Sequence, residues 1–161
     1  MKAPRCIECG RKAALESGDA VYPHRPDLFR QWFWVCVCGA RVGCHKGTKS
    51  ALGNPCGPET AKARGLAHAA FDPLWRRKVE LGFPKGPSRD AAYVWLCGEM
   101  APTFADMTRA TCHISMMTRE QALLVVTICR PFADKVAQAR AFERETNRNP
   151  RDPRQRLGVV A

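Results

Sequence analysis

Four of the nine cysteines in this 161-residue chain stand in two close pairs, Cys6-Ile-Glu-Cys9 followed by Gly10 and Cys36-Val-Cys38 followed by Gly39. Thiolates are soft ligands, and two pairs delivered by two turns can close a tetrahedron around one Zn2+. The first pair has the form of a zinc knuckle, in which a tight turn aims two sulfurs at one point and a glycine relieves the turn. In the second pair the usual spacing of two residues is shortened to one. Cys44 or His45, a few residues further on, therefore competes with Cys38 for the fourth position. A metal saturated by four protein ligands has no open position for water, so the zinc is expected to be a structural staple.

A second group of residues could bind a polyanion. Trp32 and Trp34, with Phe33 between them, lie among Arg25, Arg30, Arg41, Lys46 and Lys49, the mixture of stacking faces and phosphate-neutralising charge that single-stranded nucleic acid requires. The same rings would also serve as the small core of a ribbon. Other candidates for chemistry carry simpler explanations. His68 and Asp72 are four apart and can meet on one helix face, but Asp72 before Pro73 also reads as a helix N-cap. Cys44-His45 and Cys112-His113 are neighbours in sequence, whereas a working thiol–imidazole dyad needs geometry from separate elements. His24 sits between prolines as a loop residue. Neither a phosphate-binding glycine loop nor a paired-carboxylate signature occurs, and the reading leans away from an enzyme.

Composition narrows the class. With 45% hydrophobic and 25% charged residues the chain should fold over most of its length. A formal charge of +11 favours a polyanionic partner, and fourteen of the 26 basic residues but only seven of the 15 acidic ones fall within residues 1–80, the cysteine-rich half. The start lacks the apolar stretch of a secretory signal, and clustered thiols suit a reducing compartment; the expected location is the cytoplasm of a bacterial host. The longest apolar run, Ala122 to Cys129, falls short of the ~18 residues that cross a bilayer, so no membrane partner is expected.

The elements that position these groups read as α+β: an N-terminal zinc ribbon of short antiparallel strands over residues 1–57, connecting helices over 58–81, a helical module over 82–146 and a flexible basic tail over 147–161. Within the ribbon, Lys12 to Glu16 and Ala20 to Tyr22 suit strands around the turn Ser17-Gly18-Asp19, followed by Gln31 to Val37 and Ala40 to Gly43. Alternation places Trp32, Trp34 and Cys36 on one face of the third strand, with Phe33, Val35 and Val37 on the other. A helix begins at Pro58 and breaks at Asp72-Pro73, where a second starts and runs to about Leu81. Gly82 to Pro87 reads as a linker, with Ser88 capping a helix to about Met100. Thr118-Arg-Glu-Gln121 resembles a capping box that opens a buried helix over Ala122 to Cys129, and a further helix is expected from Pro131 to about Glu145.

Several segments together resemble a zinc-finger-containing family found mainly in phages and prophages. They are Cys6-x-x-Cys9, Val21-Tyr-Pro-His-Arg-Pro-Asp-Leu28, Phe33-Trp-Val-Cys36, Val42-Gly-Cys-His-Lys-Gly-Thr48, Ala67-His-Ala-Ala-Phe-Asp-Pro-Leu-Trp75 and Cys112-His-Ile114. That resemblance implies zinc binding and carries over no particular activity. The aromatic-Trp-x-Cys stretch is also similar to the zinc ribbons of bacterial type I topoisomerases, which bind single-stranded DNA. The expected function is a zinc-binding accessory protein that binds nucleic acid, single-stranded DNA or RNA above all, through Arg25, Arg30, Trp32, Trp34, Arg41, Lys46 and Lys49. The alternative is a phage-type modulator that binds a host protein.

Overall fold

A computed structural model describes residues 2–148, with side chains through Glu145. Strand β1 (Ala14–Ser17) leads into a single helical turn, α1 (Gly18–Val21), and a 3-10 turn at Pro26–Leu28. Strands β2 (Trp32–Val35) and β3 (Arg41–Gly43) complete a three-stranded antiparallel sheet with β2 in the centre. The register sets Leu15 opposite Trp34, and Trp34 opposite Val42. The partner of β1 is thus β2, and Ala20 to Tyr22, expected as a strand, instead forms the end of the helical turn Gly18–Val21 and its C-cap, Tyr22. The cause lies in Gly18. Its N–H donates to the Gln31 carbonyl, and a Cβ there would stand 1.8 Å from the Leu28 carbonyl oxygen. The chain has to turn away from the sheet at the only residue type that permits so close an approach.

Three long helices follow: α2 (Pro58–Glu80), α3 (Lys85–Met100) and α4 (Arg119–Arg148). Two expected breaks are absent. Asp72 is not an N-cap, because α2 runs through Pro73, and Pro131 likewise sits inside one continuous α4 rather than starting a new helix. Proline inside a helix costs about 3 kcal/mol through its missing N–H and its ring. In α2 the buried stripe Ala63, Ala67, Ala70, Phe71 and Trp75 crosses the proline without interruption, and breaking the helix would split it. Asp72 spends its carboxylate on the same helix, accepting from Trp75 Nε1 at 3.2 Å and Arg76 Nη2 at 3.0 Å, and pairing with His68 Nδ1 at 3.4 Å.

The expected linker shrinks to a turn. Gly82, at φ 92°, ends α2 with a Schellman motif in which the Phe83 N–H reaches the Lys78 carbonyl and the Gly82 N–H the Val79 carbonyl. The next helix then begins at Lys85, so Ser88 lies buried inside α3 rather than capping it. The capping box at Thr118 does form: the Gln121 N–H donates to Thr118 Oγ1 at 3.2 Å, and the Thr118 N–H donates to Gln121 Oε1 at 2.9 Å.

One apolar core joins these helices, drawing Phe71 and Trp75 from α2, Tyr93, Leu96 and Met100 from α3, Cys112 and Ile114 from the connecting loop, and Val125 and Cys129 from α4. It takes residues from both sides of the Gly82 turn. No helix among the described residues is long and apolar enough to cross a membrane. Of the expected tail over 147–161, the helix continues through Arg148, and 149–161 lie outside the described residues.

Candidate metal centre and adjoining surface

Each cysteine pair sits on a turn built to present it. In the first, the Cys6 N–H donates to the Arg11 carbonyl and the Gly10 N–H to the Cys6 carbonyl, with Gly10 at φ 72°. In the second, the Cys36 N–H donates to the Ala40 carbonyl and the Gly39 N–H to the Cys36 carbonyl, with Gly39 at φ 89°. The second turn closes one residue earlier than the first, which is how a Cys-x-Cys spacing still delivers two sulfurs to one point. Both glycines hold the left-handed conformation that other residues resist.

The four sulfurs converge. Cys9 Sγ lies 3.4 Å from Cys36 Sγ and 3.5 Å from Cys38 Sγ, Cys6 Sγ lies 3.5 Å from Cys38 Sγ, and all four are within 4.8 Å of one another. A zinc tetrathiolate with bonds of ~2.3 Å has edges of ~3.8 Å, so these positions fit one structural Zn2+. Two of the four are buried and two exposed. Burial pushes the Cys6 thiol up to about 12, while the backbone N–H of Ala40 leads in drawing the Cys38 thiol down to about 7. A thiolate as buried as Cys6 needs a neighbouring dication to be stable. Cys44 and His45 stand outside this group, at the far end of the sheet, where the Cys44 N–H donates to the Trp32 carbonyl. The fourth ligand is therefore Cys38.

The ribbon is fastened to the helices at its first knuckle. The Ile7 N–H donates to the Pro55 carbonyl, and Glu8 Oε1 accepts from the Gly57 N–H at 2.9 Å. That N–H, followed by the Thr60 side chain, holds the Glu8 carboxyl below its usual range. Behind this contact Arg64 is buried, its Nε donating to the Met117 carbonyl at 2.8 Å and its Nη1 to the Asn54 carbonyl at 2.9 Å. Gly53 presses against Ser115 at the same junction. Sequence reasoning missed Glu8, Gly53 and Arg64. A carboxylate inside a knuckle and an arginine on the alanine-rich face of α2 were the available signals.

The residues expected to touch nucleic acid separate into groups. Trp34 is 7% exposed and its Nε1–H donates to the Lys49 carbonyl at 2.9 Å, which corrects its expected role: it is core, with no face free for stacking. Arg25 is exposed and paired with Asp27 at 2.8 Å. Arg41 stands opposite Val35, on the Phe33 side of the sheet, with its guanidinium 4.8 Å from the centre of the Tyr22 ring. Arg30, Trp32 and Lys46 line one cleft of about 770 Å3, together with His45 and Cys44, and Lys49 Nζ rests 4.3 Å from the centre of the half-buried Trp32 ring. The loop bearing Lys46 and Lys49 is closed by the Cys44–Ala51 bridge and by Thr48, whose Oγ1 donates to the His45 carbonyl at 3.0 Å.

Neither loop cysteine is an activated nucleophile. Burial raises the Cys44 thiol and pushes that of Cys112 up to about 12, and thiols of that kind stay protonated and inert at neutral pH.

Residues 2–131 match a family described as a zinc-finger-containing domain. No curated protein and no solved structure matches the chain.

Proposed function

We propose that this chain, which belongs to the zinc-finger-containing domain family, is a zinc-stapled accessory protein that binds single-stranded DNA or RNA in the cleft beside Trp32. The observation that carries this reading is the stacking of the Lys49 ammonium on the Trp32 ring within a cleft that Arg30 and Lys46 also line. A cation over an aromatic face occupies the position that a base would take. An incoming base displaces Lys49, the ring exchanges a cation–π contact for a stacking contact, and the freed ammonium turns to a phosphate. The zinc acts here only through the fold: with Cys36 and Cys38 it fixes the opposite end of β2 and so holds the sheet on which Trp32 stands. Asp27 in the cleft wall, which would repel phosphate, is already paired with Arg25.

Salt-dependent binding of a fluorescent single-stranded oligonucleotide tests the reading. The affinity should fall as salt rises, and Trp32→Ala should weaken it about 10-fold, the worth of one stacked base at ~1–3 kcal/mol. Lys46→Ala should flatten the salt slope by about 0.7. Absence of binding at low salt, or binding indifferent to salt, rules the reading out.

A second reading, a modulator that binds a host protein, is supported by an apolar groove of about 230 Å3 lined by Trp75, Trp95 and Phe132. A bacterial cytoplasm supplies either partner and keeps the thiols reduced.

A further inference from the structure

Cys112-His113 and His68-Asp72, far apart in sequence, meet beside one buried tyrosine. Tyr93 is 1% exposed, and the His113 ring stacks on it with centroids 4.5 Å apart. Two guanidiniums lean over the same ring, Arg89 from α3 at 5.3 Å and Arg109 from the loop after it at 5.4 Å. From α2, His68, held against Asp72 at 3.4 Å, adds a fourth nitrogen group that acts on His113 through its charge.

The charges here do not cancel. Asp90 is paired with Arg109, and the Asp72 carboxylate is divided among His68, Trp75 and Arg76. Arg89 meets no carboxylate within ion-pair distance among the described residues; its contacts are with Tyr93. It is also exposed, so a ligand can reach it. The charged and titratable groups around His113 and Tyr93 are therefore Arg89 and Asp90 on α3, His68 and Asp72 on α2, and Arg109 on the loop that bears His113, with one guanidinium unanswered.

We propose that Arg89, Arg109, His68 and His113 form a binding site for a tetrahedral oxyanion of the phosphate class, on the helical side of the molecule and separate from the Trp32 cleft. Guanidinium supplies paired N–H donors matched to such an anion, and each imidazole adds a donor and, once protonated, a charge. Tyr93 serves as the platform against which three of these groups, His113, Arg89 and Arg109, rest. In the unliganded site His113 is held below its ordinary value, first by burial and then by Arg89, Arg109 and His68. A bound dianion reverses the electrostatic part of that effect, so anion binding and protonation of His113 reinforce each other, and affinity rises as the pH falls through the His113 midpoint.

The test is an NMR titration of the His113 ring against pH in sodium sulfate and in sodium chloride at equal ionic strength; sulfate keeps a constant charge over the range. Sulfate should raise the midpoint by about 1 pH unit relative to chloride. Arg89→Gln, an exposed substitution, should remove more than half of that rise, while Trp32→Ala should leave it unchanged. A short single-stranded oligonucleotide in place of sulfate identifies the source. If it reproduces the rise, the site takes a phosphodiester; if only sulfate does, the site takes a free oxyanion, and either outcome supports the proposal. Equal midpoints in sulfate and chloride overturn it. So does a full sulfate response in Arg89→Gln with the amide spectrum otherwise unchanged. Because the Trp32 cleft is probed by separate substitutions, failure here leaves the single-strand reading standing, and the reverse also holds.

Discussion

Cys36→Ser will leave the chain unable to retain zinc, and the ribbon will lose its fixed structure while most of the helical signal survives. Metal content measured after gel filtration should fall from one zinc per chain to a small fraction of one, and the near-ultraviolet signal of Trp32 and Trp34 should collapse. Without metal the ribbon has little to hold it. Among the described residues the buried cluster at the site is Cys6, Cys36 and Ala40, and the sheet that adds Phe33 and Trp34 has three strands of three or four residues. Zinc binding in such modules is worth roughly 10–16 kcal/mol near neutral pH, far more than that cluster can supply. Cys44→Ser is the control and should keep its zinc, since Cys44 lies outside the sulfur cluster. Acidification should act as the substitution does. Zinc needs thiolates, protons compete for them, and Cys6, whose thiol burial pushes up to about 12, is the ligand most dependent on the metal for its ionisation. Retention of a full zinc by Cys36→Ser would show that the cluster is not the metal site.

Gly53→Ala should cost about 3 kcal/mol, lowering the melting temperature by roughly 10 °C, although a single methyl group is added at a partly exposed position. The new Cβ would stand 2.2 Å from the Ser115 carbonyl oxygen and 2.7 Å from the Ser115 Cβ. Ordinarily a loop would give way. Here it cannot easily do so, because the Asn54 N–H donates to that same Ser115 carbonyl at 3.1 Å. Arg64 then grips the Asn54 and Met117 carbonyls on either side, so any shift also loosens bonds to a buried guanidinium. Thermal unfolding of the zinc-loaded protein would measure the loss. A change below about 0.5 kcal/mol, the scale of an ordinary surface substitution, would mean that the ribbon and the helices touch only loosely at this junction.

The sequence displayed the metal site better than it displayed the elements around it. Cys6 and Cys9 are announced by the knuckle spacing, and Cys36 with Cys38 nearly so. What the spacing could not decide was whether a turn shortened by one residue still presents both thiols, and Gly39 with its positive φ resolves that in favour of Cys38 over Cys44 or His45. The helices were legible as helices but were cut in the wrong places. Pro73 and Pro131 carry a strong local signal for a break, yet what carries each helix onward is tertiary and invisible to a local rule: a buried face runs through Pro73, and beyond Pro131 the Glu143–Arg77 and Arg140–Glu80 pairs tie α4 to α2. Trp34 shows the converse: its type and neighbours suit a stacking platform, and only the hydrogen bond from its indole to Lys49 reveals that it faces inward. For Arg64 the signal was faint: an arginine on the alanine-rich face of α2 is conspicuous, but only its bonds to the Asn54 and Met117 carbonyls show that it joins two parts of the molecule.

Glu8 gives the metal a reach beyond the ribbon. Helix α2 has no side-chain cap of its own at Gly57, and the carboxylate that completes its first turn arrives from a residue between two zinc ligands, 49 positions earlier in the chain. In a capping box that carboxylate would belong to the helix itself. Here the helix borrows it, and the loan holds only while Cys6 and Cys9 are fixed. Metal occupancy is thereby coupled to fraying at the start of a 23-residue helix, whose first-turn amides should exchange with solvent faster when zinc is withdrawn and slow again when it is restored.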